Sequence, residues 1–180
     1  MWNLIQVVTH SNDLELQHRT EANSMNQKIV QVTKQNYHLF DDMIFYRANG
    51  RHKNEAEQAA PRDFTEQYAI LDKGILTTYA MQTEDKFAGY ICLTYIPKIT
   101  QNNNGFIFVD DIWVNPDYRR MGIAERLMQA AEDLARENNI YGLRLYVGTG
   151  NDAGMALYKK CGLVSKYGEA MLMEKEMVFK

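Results

Sequence analysis

The most constraining segment of this chain is residues 106–134, in which a strand pattern passes through a short basic turn into a helical pattern. The apolar run from Phe106 to Val114 predicts a strand, and Asn115-Pro116 directly after it is a turn signal. Apolar residues then recur at helical spacing, namely Ile123, Leu127, Ala130, Ala131 and Leu134. The segment therefore predicts a strand, a turn and a helix with one apolar stripe.

The turn between them, Arg119-Arg120-Met121-Gly122-Ile123-Ala124, is basic and places a glycine at the start of the predicted helix. The first N–H groups of a helix lack partners inside the helix, and the helix dipole is positive there, so this turn can hold an anion. The two arginines add positive charge, and Gly122 lets a phosphate approach the backbone closely. An ordinary turn with solvated arginines is the alternative, and this stretch alone does not separate the two.

The segment that begins at Gly148 contains a motif that could indicate a dinucleotide-binding site. Gly148-Thr149-Gly150-Asn151-Asp152-Ala153 matches the G-x-G-x-x-G/A dinucleotide fingerprint, follows a predicted strand and opens a predicted helix. A Rossmann unit then needs another parallel strand ending in an acidic residue, and further βαβ units. The few residues after Ala153 read as one strand pair. We therefore reject a dinucleotide-binding domain.

Two motifs together resemble one known family. Arg119-x-x-Gly122-x-Ala124 matches the Arg/Gln-x-x-Gly-x-Gly/Ala signature of the GNAT superfamily of N-acetyltransferases. Residues 151–163 resemble that family's Asn-x-x-Ala/Gly-x-x-Leu-Tyr-x-x-x-Gly-Phe landmark, with Leu163 in place of the usual Phe. The resemblance covers about residues 25–180 and implies acetyl-CoA as the acetyl donor. It implies pyrophosphate and pantetheine contacts from Ile112, Trp113, Val114, Arg119, Arg120, Met121, Gly122, Ile123, Ala124, Asn151 and Tyr158.

The resemblance also implies a catalytic role for Tyr158, close to the thioester sulfur. A phenol with a pKa of about 10 stays protonated at neutral pH and can give its proton to a leaving thiolate. The alternative is that Tyr158 only packs, since Leu157-Tyr158 also suits a core helix. Cys161 is a poor nucleophile candidate, because its motif contains no histidine and it ends a predicted helix. The resemblance implies direct attack by the amine, without an acyl-enzyme.

Asp110 and Asp111 are the candidate catalytic carboxylates, because an amine must lose a proton before it attacks a thioester. The resemblance places their strand beside the acetyl group. Adjacent strand residues point to opposite faces, so one carboxylate reaches the substrate unless a β-bulge alters the alternation. That carboxylate would relay the proton through water or hold a cationic substrate; otherwise one aspartate bonds to backbone and the other is solvated. Asp41 and Asp42, on the first predicted helix, either add to an acidic site or form solvated surface.

Composition and charge narrow the class of protein. The 180 residues, 46% hydrophobic and 24% charged, suffice for one globular domain with a core. The formal net charge of −3 gives no support for nucleic-acid binding. No apolar run approaches the roughly 20 residues of a membrane span, and the first residues do not resemble a secretory signal. The isolated Cys92 and Cys161 indicate neither a disulfide framework nor a metal site. We expect a cytoplasmic protein.

The order of elements predicts a mixed α/β fold whose mostly antiparallel central sheet is flanked by helices. Residues 1–24 are predicted to be an N-terminal extension of unreadable role, and residues 25–180 the GNAT-like domain. The first predicted helix starts at an Asn36 cap, has a face of Tyr37, Phe40, Met43, Ile44 and Arg47, and ends at Asn49-Gly50. Residues 51–60 are predicted as a loop or frayed turn, and residues 61–74 as a helix starting at Pro61. The other predicted strands cover residues 25–33, 75–82, 87–96, 142–147, 163–167 and 170–179, and a last helix covers residues 151–161.

These observations predict an N-acetyltransferase that moves an acetyl group from acetyl-CoA to a primary amine of a small molecule, such as a polyamine, an aminoglycoside or an amino-acid-like compound. Protein N-terminal or lysine acetylation is an alternative activity, and a CoA-binding regulatory module without turnover is an alternative class. The acceptor pocket is expected from residues 49–62 and 166–170, whose patterns are the least readable, so the acceptor stays open. A homodimer is compatible with the sequence.

Overall fold

The computed structural model describes residues 27–99 and 104–166. The chain forms two compact units that divide after Tyr146. The predicted extension at residues 1–24 and the predicted strand at residues 170–179 lie outside the described residues. Within residues 27–99 and 104–166, no helix has the length and apolar character needed to cross a membrane.

The first unit is built on a five-stranded sheet in the order β1-β2-β3-β4-β5. The strands are β1 (Lys28–Gln31), β2 (Leu76–Thr83), β3 (Lys86–Ile96), β4 (Phe106–Val114) and β5 (Gly142–Arg144). Neighbouring strands are antiparallel except β4 and β5, which are parallel. A parallel pair needs a crossover, which the long helix between these two strands supplies. The predicted fold class, mixed α/β with a mostly antiparallel sheet flanked by helices, is confirmed.

The described part of the first unit has four helices: α1 (Tyr37–Asn49), α2 (Glu55–Ala59), α3 (Thr65–Lys73) and α4 (Ile123–Glu137). A 3-10 turn, Pro116–Tyr118, joins β4 to α4. The described part of the second unit contains α5 (Asp152–Lys160). Gly50 and Gly74 end α1 and α3 with φ of 70° and 62°, so both predicted helix ends are confirmed.

Helices cover both faces of the sheet. Under α1 lies one buried cluster, made of Val32, Met43, Ala80, Phe87, Tyr90 and Cys92. On the opposite face α4 buries Ile123, Leu127, Met128 and Ala131, each at most 1% exposed. Leu93 of β3 and Ile107 of β4 line a groove together with Leu134 of α4, which assigns these two strand residues to the α4 face. The alternation of β3 thus separates Cys92, under α1, from Leu93, under α4.

Between α1 and β2, the helical turn predicted as an alternative to a loop is present but capped, and the helix start predicted at Pro61 was wrong. Residues 51–60 contain α2, which starts with a capping box: Asn54 Oδ1 accepts from the Glu57 amide, and the Glu57 carboxylate accepts from the Asn54 amide, both at 2.9 Å. The next helix starts at Thr65 and not at Pro61. Asp63 explains the later start, because its carboxylate accepts from both the amide and the hydroxyl of Thr65.

Other local predictions also need correction. Asn36 stands at the N-cap position of α1 but makes no side-chain bond to the helix. Its Oδ1 accepts from the Thr33 amide at 2.7 Å, and its Nδ2 donates to the Gln31 carbonyl at 2.9 Å, so it fastens the turn from β1. Ile44, predicted on the buried face of α1, is 38% exposed. Strand β5 ends at Arg144 rather than residue 147, and residues 163–166 are in no strand. Tyr167, the last residue of that predicted strand, lies outside the described residues.

Candidate active site

A β-bulge in β4 interrupts the regular alternation of side chains at the two candidate carboxylates, Asp110 and Asp111. Cys92 pairs with Asp111, but the next β3 residue, Leu93, pairs with Val109, so Asp110 is an extra residue without a register partner. Val109 and Ile112 share the α4 face with their partners on β3. The two aspartates between them are therefore both directed to the α1 face. A β-bulge, the alternative to regular alternation at Asp110 and Asp111, is therefore present.

Asp111 is tied to two side chains on the α1 face. The Tyr90 hydroxyl donates to Asp111 Oδ2 at 2.6 Å, and Nη1 of Arg47 donates both to that oxygen and to the Tyr90 hydroxyl. Burial, and then the hydrogen bond to Asp111, raise the pKa of Tyr90 well above the ordinary value of tyrosine. Tyr90 therefore acts as a neutral hydrogen-bond donor to Asp111.

Asp110 stands in a different environment. Its side chain is exposed, and it has no hydrogen-bond or ion-pair partner within the described part of the chain. Together with Asp111 it raises the pKa of the neighbouring Cys92 thiol to about 11, after burial as the larger cause. Of the two candidate carboxylates, Asp110 is thus the one available to a ligand.

Aromatic side chains extend the site from the bulge along α1. The half-buried Trp113 ring lies 6.3 Å from that of Tyr90 and 6.4 Å from that of Tyr46. Tyr46 in turn contacts the ring of His52 at 4.7 Å and donates its hydroxyl to Asp117 at 3.0 Å. The Trp113 side chain therefore packs among aromatic rings and against the buried cluster under α1. The aromatic groups form a wall between the bulge and the segment before α2.

The basic turn between β4 and α4 has the geometry of an anion cradle. Gly122 has φ of 74°, and a Cβ placed on it would meet no atom within 4 Å, so the space beside its backbone is open. Arg120 also adopts a positive φ, of 64°. Among the described residues, the backbone N–H groups of residues 121–124 have no acceptor. The Arg119 Nε group donates to the Val114 carbonyl at 3.3 Å, which links the turn to the end of β4.

Strand β4 has a free edge next to this turn. Its parallel pairing with β5 covers only Phe106 to Phe108, opposite Gly142 to Arg144. The remainder of β4, up to Val114, has no ladder partner on that side within the described chain. The backbone of Ile112, Trp113 and Val114 can therefore pair with an extended ligand that approaches along this edge. The turn and the free edge together fit the pyrophosphate and pantetheine arm that the resemblance implies.

Asp41 and Asp42 are neither solvated nor free to bind a substrate. Asp41 pairs with Lys53, which is only 7% exposed, and with Arg62. Asp42 accepts from the Lys53 amide at 2.8 Å and contacts His52 Nδ1 at 2.6 Å. These contacts fasten the segment around α2 to the first turns of α1, so both proposed roles for the two aspartates are replaced by a structural one. The described residues contain no group of three or more His, Cys, Asp or Glu suited to a metal ion.

The second unit carries the other predicted site residues. Asn151 caps α5, with its Oδ1 accepting from the Gly154 amide at 2.9 Å. A Cβ on Gly154 would lie 2.7 Å from Asn151 Nδ2, so a glycine suits this turn. Tyr158 is half-buried on α5, and its carbonyl accepts from the Leu163 amide at 2.9 Å. Its catalytic role and the ligand contacts of Asn151 stay predictions.

The sequence did not reveal the roles of two residues of the site, Arg47 and Tyr90. Arg47 was included only as a member of the α1 face, yet a cation in register with Phe40 and Met43 is itself a signal of an acidic partner across the interface. Tyr90 stands in a continuous apolar run of β3, and nothing in that run distinguishes it.

The sequence matches the model of the acetyltransferase (GNAT) family over residues 39–163. It is also similar to Streptothricin acetyltransferase A of Bacillus subtilis (strain 168), with 36% identity over 63 residues. That match covers 35% of this chain and 36% of the relative, so the chain spans only about a third of that relative's length.

Solved structures with the same fold include an aminoglycoside acetyltransferase, meta-AAC0020, from an uncultured soil metagenomic sample (TM-score 0.68, 13% identity, 84% of this chain and 97% of that chain). Another is AAC(6')-Iy in complex with the bisubstrate analogue CoA-S-monomethyl-acetylneamine (TM-score 0.62, 14% identity, 83% and 98%). A third is ribosomal-protein-alanine N-acetyltransferase from Brucella melitensis biovar Abortus 2308 (TM-score 0.62, 17% identity, 82% and 99%). At these identities the likeness shows the fold alone.

Proposed function

The chain belongs to the GNAT acetyltransferase family, and from this premise we propose that it transfers the acetyl group of acetyl-CoA to a primary amine of a small molecule. The observation that carries the proposal is the position of the bulge in β4. Within residues 27–99 and 104–166 it presents a carboxylate without a partner, Asp110, on a strand whose unpaired edge leads to the open turn at Gly122. A proton acceptor and an anion cradle thus lie at the two ends of one short backbone segment.

The residues that would hold acetyl-CoA are the turn from Arg119 to Ala124 and the free edge of Ile112 to Val114. The N–H groups of the turn, which have no acceptor among the described residues, lie at the positive end of the α4 dipole, and this position favours a pyrophosphate. Backbone groups of the free edge would pair with the amide-containing pantetheine arm and polarise the thioester carbonyl. When bound, acetyl-CoA supplies the acetyl group as a thioester.

Asp110 would bind the ammonium group of the acceptor and accept its proton, directly or through one water. The neutral amine then attacks the carbonyl carbon, a carbon–nitrogen bond forms, and the carbon–sulfur bond breaks. The leaving thiolate takes up a proton, for which we propose the hydroxyl of Tyr158. The products are an N-acetyl amide and a free thiol, and the reaction needs no oxidant or metal.

The acceptor class rests on the names of related proteins. Streptothricin is named in one of the similar proteins, and aminoglycosides are named for meta-AAC0020 and AAC(6')-Iy, which supports a small-molecule amine. A ribosomal-protein-alanine N-acetyltransferase shares the fold as well, so acetylation of a protein N-terminus is the second candidate. The wall of Tyr46, His52 and Trp113 beside Asp110 favours a compact acceptor that packs on aromatic rings.

The test is release of free thiol from acetyl-CoA by the purified full-length chain, measured with polyamines, aminoglycosides, amino acids and peptides bearing a free N-terminus. We expect turnover with at least one small amine, and mass spectrometry should find one acetyl group on its nitrogen. Turnover with peptides alone would move the assignment to protein acetylation. Binding of acetyl-CoA without thiol release for any acceptor would instead identify a CoA-binding module and overturn the proposed enzyme.

A further inference from the structure

Arg47 holds its partners with only part of its guanidinium group. It stands in the last turn of α1, and both of its hydrogen bonds, to Asp111 Oδ2 and to the Tyr90 hydroxyl, come from Nη1. Its Nε and Nη2 groups donate to no residue in the described part of the chain, and the side chain is 43% exposed. One edge of the guanidinium therefore remains open at the bulge.

The contact of Arg47 with Asp111 differs in geometry from an ordinary arginine–carboxylate pair. A guanidinium and a carboxylate ordinarily pair through two parallel N–H···O bonds, as Arg51 does with Glu57 at 2.7 and 2.8 Å. Arg47 instead uses a single nitrogen, because the Tyr90 hydroxyl shares the same acceptor oxygen. The fork formed by its Nε and Nη2 atoms matches the geometry of a second carboxylate.

We propose that Arg47 determines acceptor specificity by binding a carboxylate of the acceptor, which makes the preferred acceptor a zwitterionic, amino-acid-like amine. This inference rests on the proposed function and narrows its substrate class. The acceptor's ammonium group binds Asp110, which has no hydrogen-bond or ion-pair partner among the described residues, and its carboxylate binds the open edge of Arg47. The two anchors belong to one site, because Arg47 is bonded to Asp111, the neighbour of Asp110 in the bulge.

The same arrangement selects against compounds that carry only positive charges. Among the described residues, Asp111 is paired with Arg47, which leaves the Asp110 carboxylate for one ammonium group. A second ammonium group near the open guanidinium edge meets only N–H donors there and no acceptor. Polycationic acceptors should therefore be weaker substrates than a zwitterion of the same length.

The test compares lysine with lysinamide, in which an amide replaces the carboxylate, and with cadaverine, which lacks the carboxylate. With the wild-type chain, kcat/KM for lysine should exceed the values for lysinamide and cadaverine by about tenfold or more, as expected for a charge-assisted contact. The double variant Arg47→Met, Asp111→Asn removes the anchor without leaving Asp111 unpaired, and should bring the lysine-to-cadaverine ratio close to one. Arg136→Met is the matched control, since Arg136 is an exposed arginine paired with acids on α4, and it should keep the wild-type ratio.

A wild-type preference for cadaverine, or a ratio that the double variant leaves unchanged, overturns the carboxylate anchor. Thermal shift in the presence of CoA separates this outcome from failure of the proposed function. If lysine raises the Tm of the wild type but not of the double variant while no amine is acetylated, the anchor stands and the proposed transferase activity fails. If amines are acetylated without regard to the carboxylate, the transferase activity stands and the anchor fails.

Discussion

The hydroxyl group of Tyr90 donates a hydrogen bond of 2.6 Å to Oδ2 of Asp111. This contact, with Arg47 on the same oxygen, assigns different roles to two adjacent acids. Asp111 is held by the protein, whereas Asp110, the extra residue of the bulge, is available to a ligand. This difference between the two aspartates can be tested by comparing the isosteric variants Asp110→Asn and Asp111→Asn.

Asp110→Asn should lower kcat by about 10²–10⁴-fold, the usual range for a positioned general base, because the amide cannot accept the proton of the ammonium group. The affinity for acetyl-CoA should stay unchanged, since its contacts lie in the turn and along the strand edge. Steady-state kinetics and calorimetric titration with acetyl-CoA measure both quantities. Asp111→Asn is the matched variant, and its main expected effect is a loss of about 1–2 kcal/mol of stability from the broken contacts with Arg47 and Tyr90. The reverse ranking of the two kcat values would assign the base to Asp111.

Cys92 makes the stability of the fold depend on pH in the alkaline range. Burial, aided by the carboxylates of Asp111 and Asp110, raises the pKa of its thiol to about 11. Because the folded-state pKa lies above the unfolded value, the contribution is complete below the ordinary thiol pKa and is lost as the pH rises through about 11. Urea unfolding at a series of pH values should show the free energy of unfolding falling by about 3 kcal/mol between these limits. Cys92→Ala should flatten this part of the curve, and an unchanged slope would mean that the thiol does not titrate differently on unfolding.

Gly122→Ala tests the anion cradle, and Gly74→Ala is its matched control. Both glycines have positive φ, 74° and 62°, and open space around a new Cβ, so both variants should lose about 1–2 kcal/mol of stability. Only at Gly122 does that Cβ occupy the space beside the N–H groups of the turn. We therefore expect a raised Kd for acetyl-CoA with Gly122→Ala and a wild-type Kd with Gly74→Ala, measured by calorimetry below the Tm of each variant. Equal affinities would remove the turn from the binding site.

The sequence predicted the scaffold of this site better than its contacts. The turn signals at Asn115-Pro116 and Gly122, and the helical stripe after them, are local patterns, so the bounds of β4 and the start of α4 were readable. The contact of Arg47 with Asp111 joins residues 64 positions apart, and its existence depends on which face of β4 the bulge presents. A bulge is a matter of register between two strands, which no single segment encodes. The same limitation explains the wrong role for Asp41, whose partners Lys53 and Arg62 come from a segment without periodicity.

Ligand-induced stabilisation distinguishes the assigned cofactor from the rejected dinucleotide. Acetyl-CoA at about 100 times its Kd should stabilise the folded chain by about 2.7 kcal/mol through linkage, which is visible as a raised Tm. NAD at the same concentration should leave the Tm unchanged, because the turn after Gly148-Thr149-Gly150 leads into α5, a helix capped by Asn151, and the described residues contain no Rossmann unit. Stabilisation by NAD and not by acetyl-CoA would overturn the cofactor assignment.

Tyr158→Phe separates a catalytic hydroxyl from a packing ring. The change keeps the ring on α5 and removes only the hydroxyl group. If the hydroxyl protonates the leaving thiolate, kcat should fall by about 10²–10⁴-fold while the Kd for acetyl-CoA stays near the wild-type value. Tyr141→Phe is the control, since Tyr141 is 63% exposed and its ring packs on Phe106, and its kcat should equal that of the wild type.

An acetyl thioester of a more acidic thiol sharpens this last test. Such a leaving group needs less help from a proton donor, so the deficit of Tyr158→Phe should shrink with it, while the deficit of Asp110→Asn should persist because the amine must still lose its proton. A fall of kcat below about tenfold with acetyl-CoA, or a deficit independent of the leaving group, would mean that water supplies the proton. Tyr158 would then contribute to α5 only through the packing of its ring.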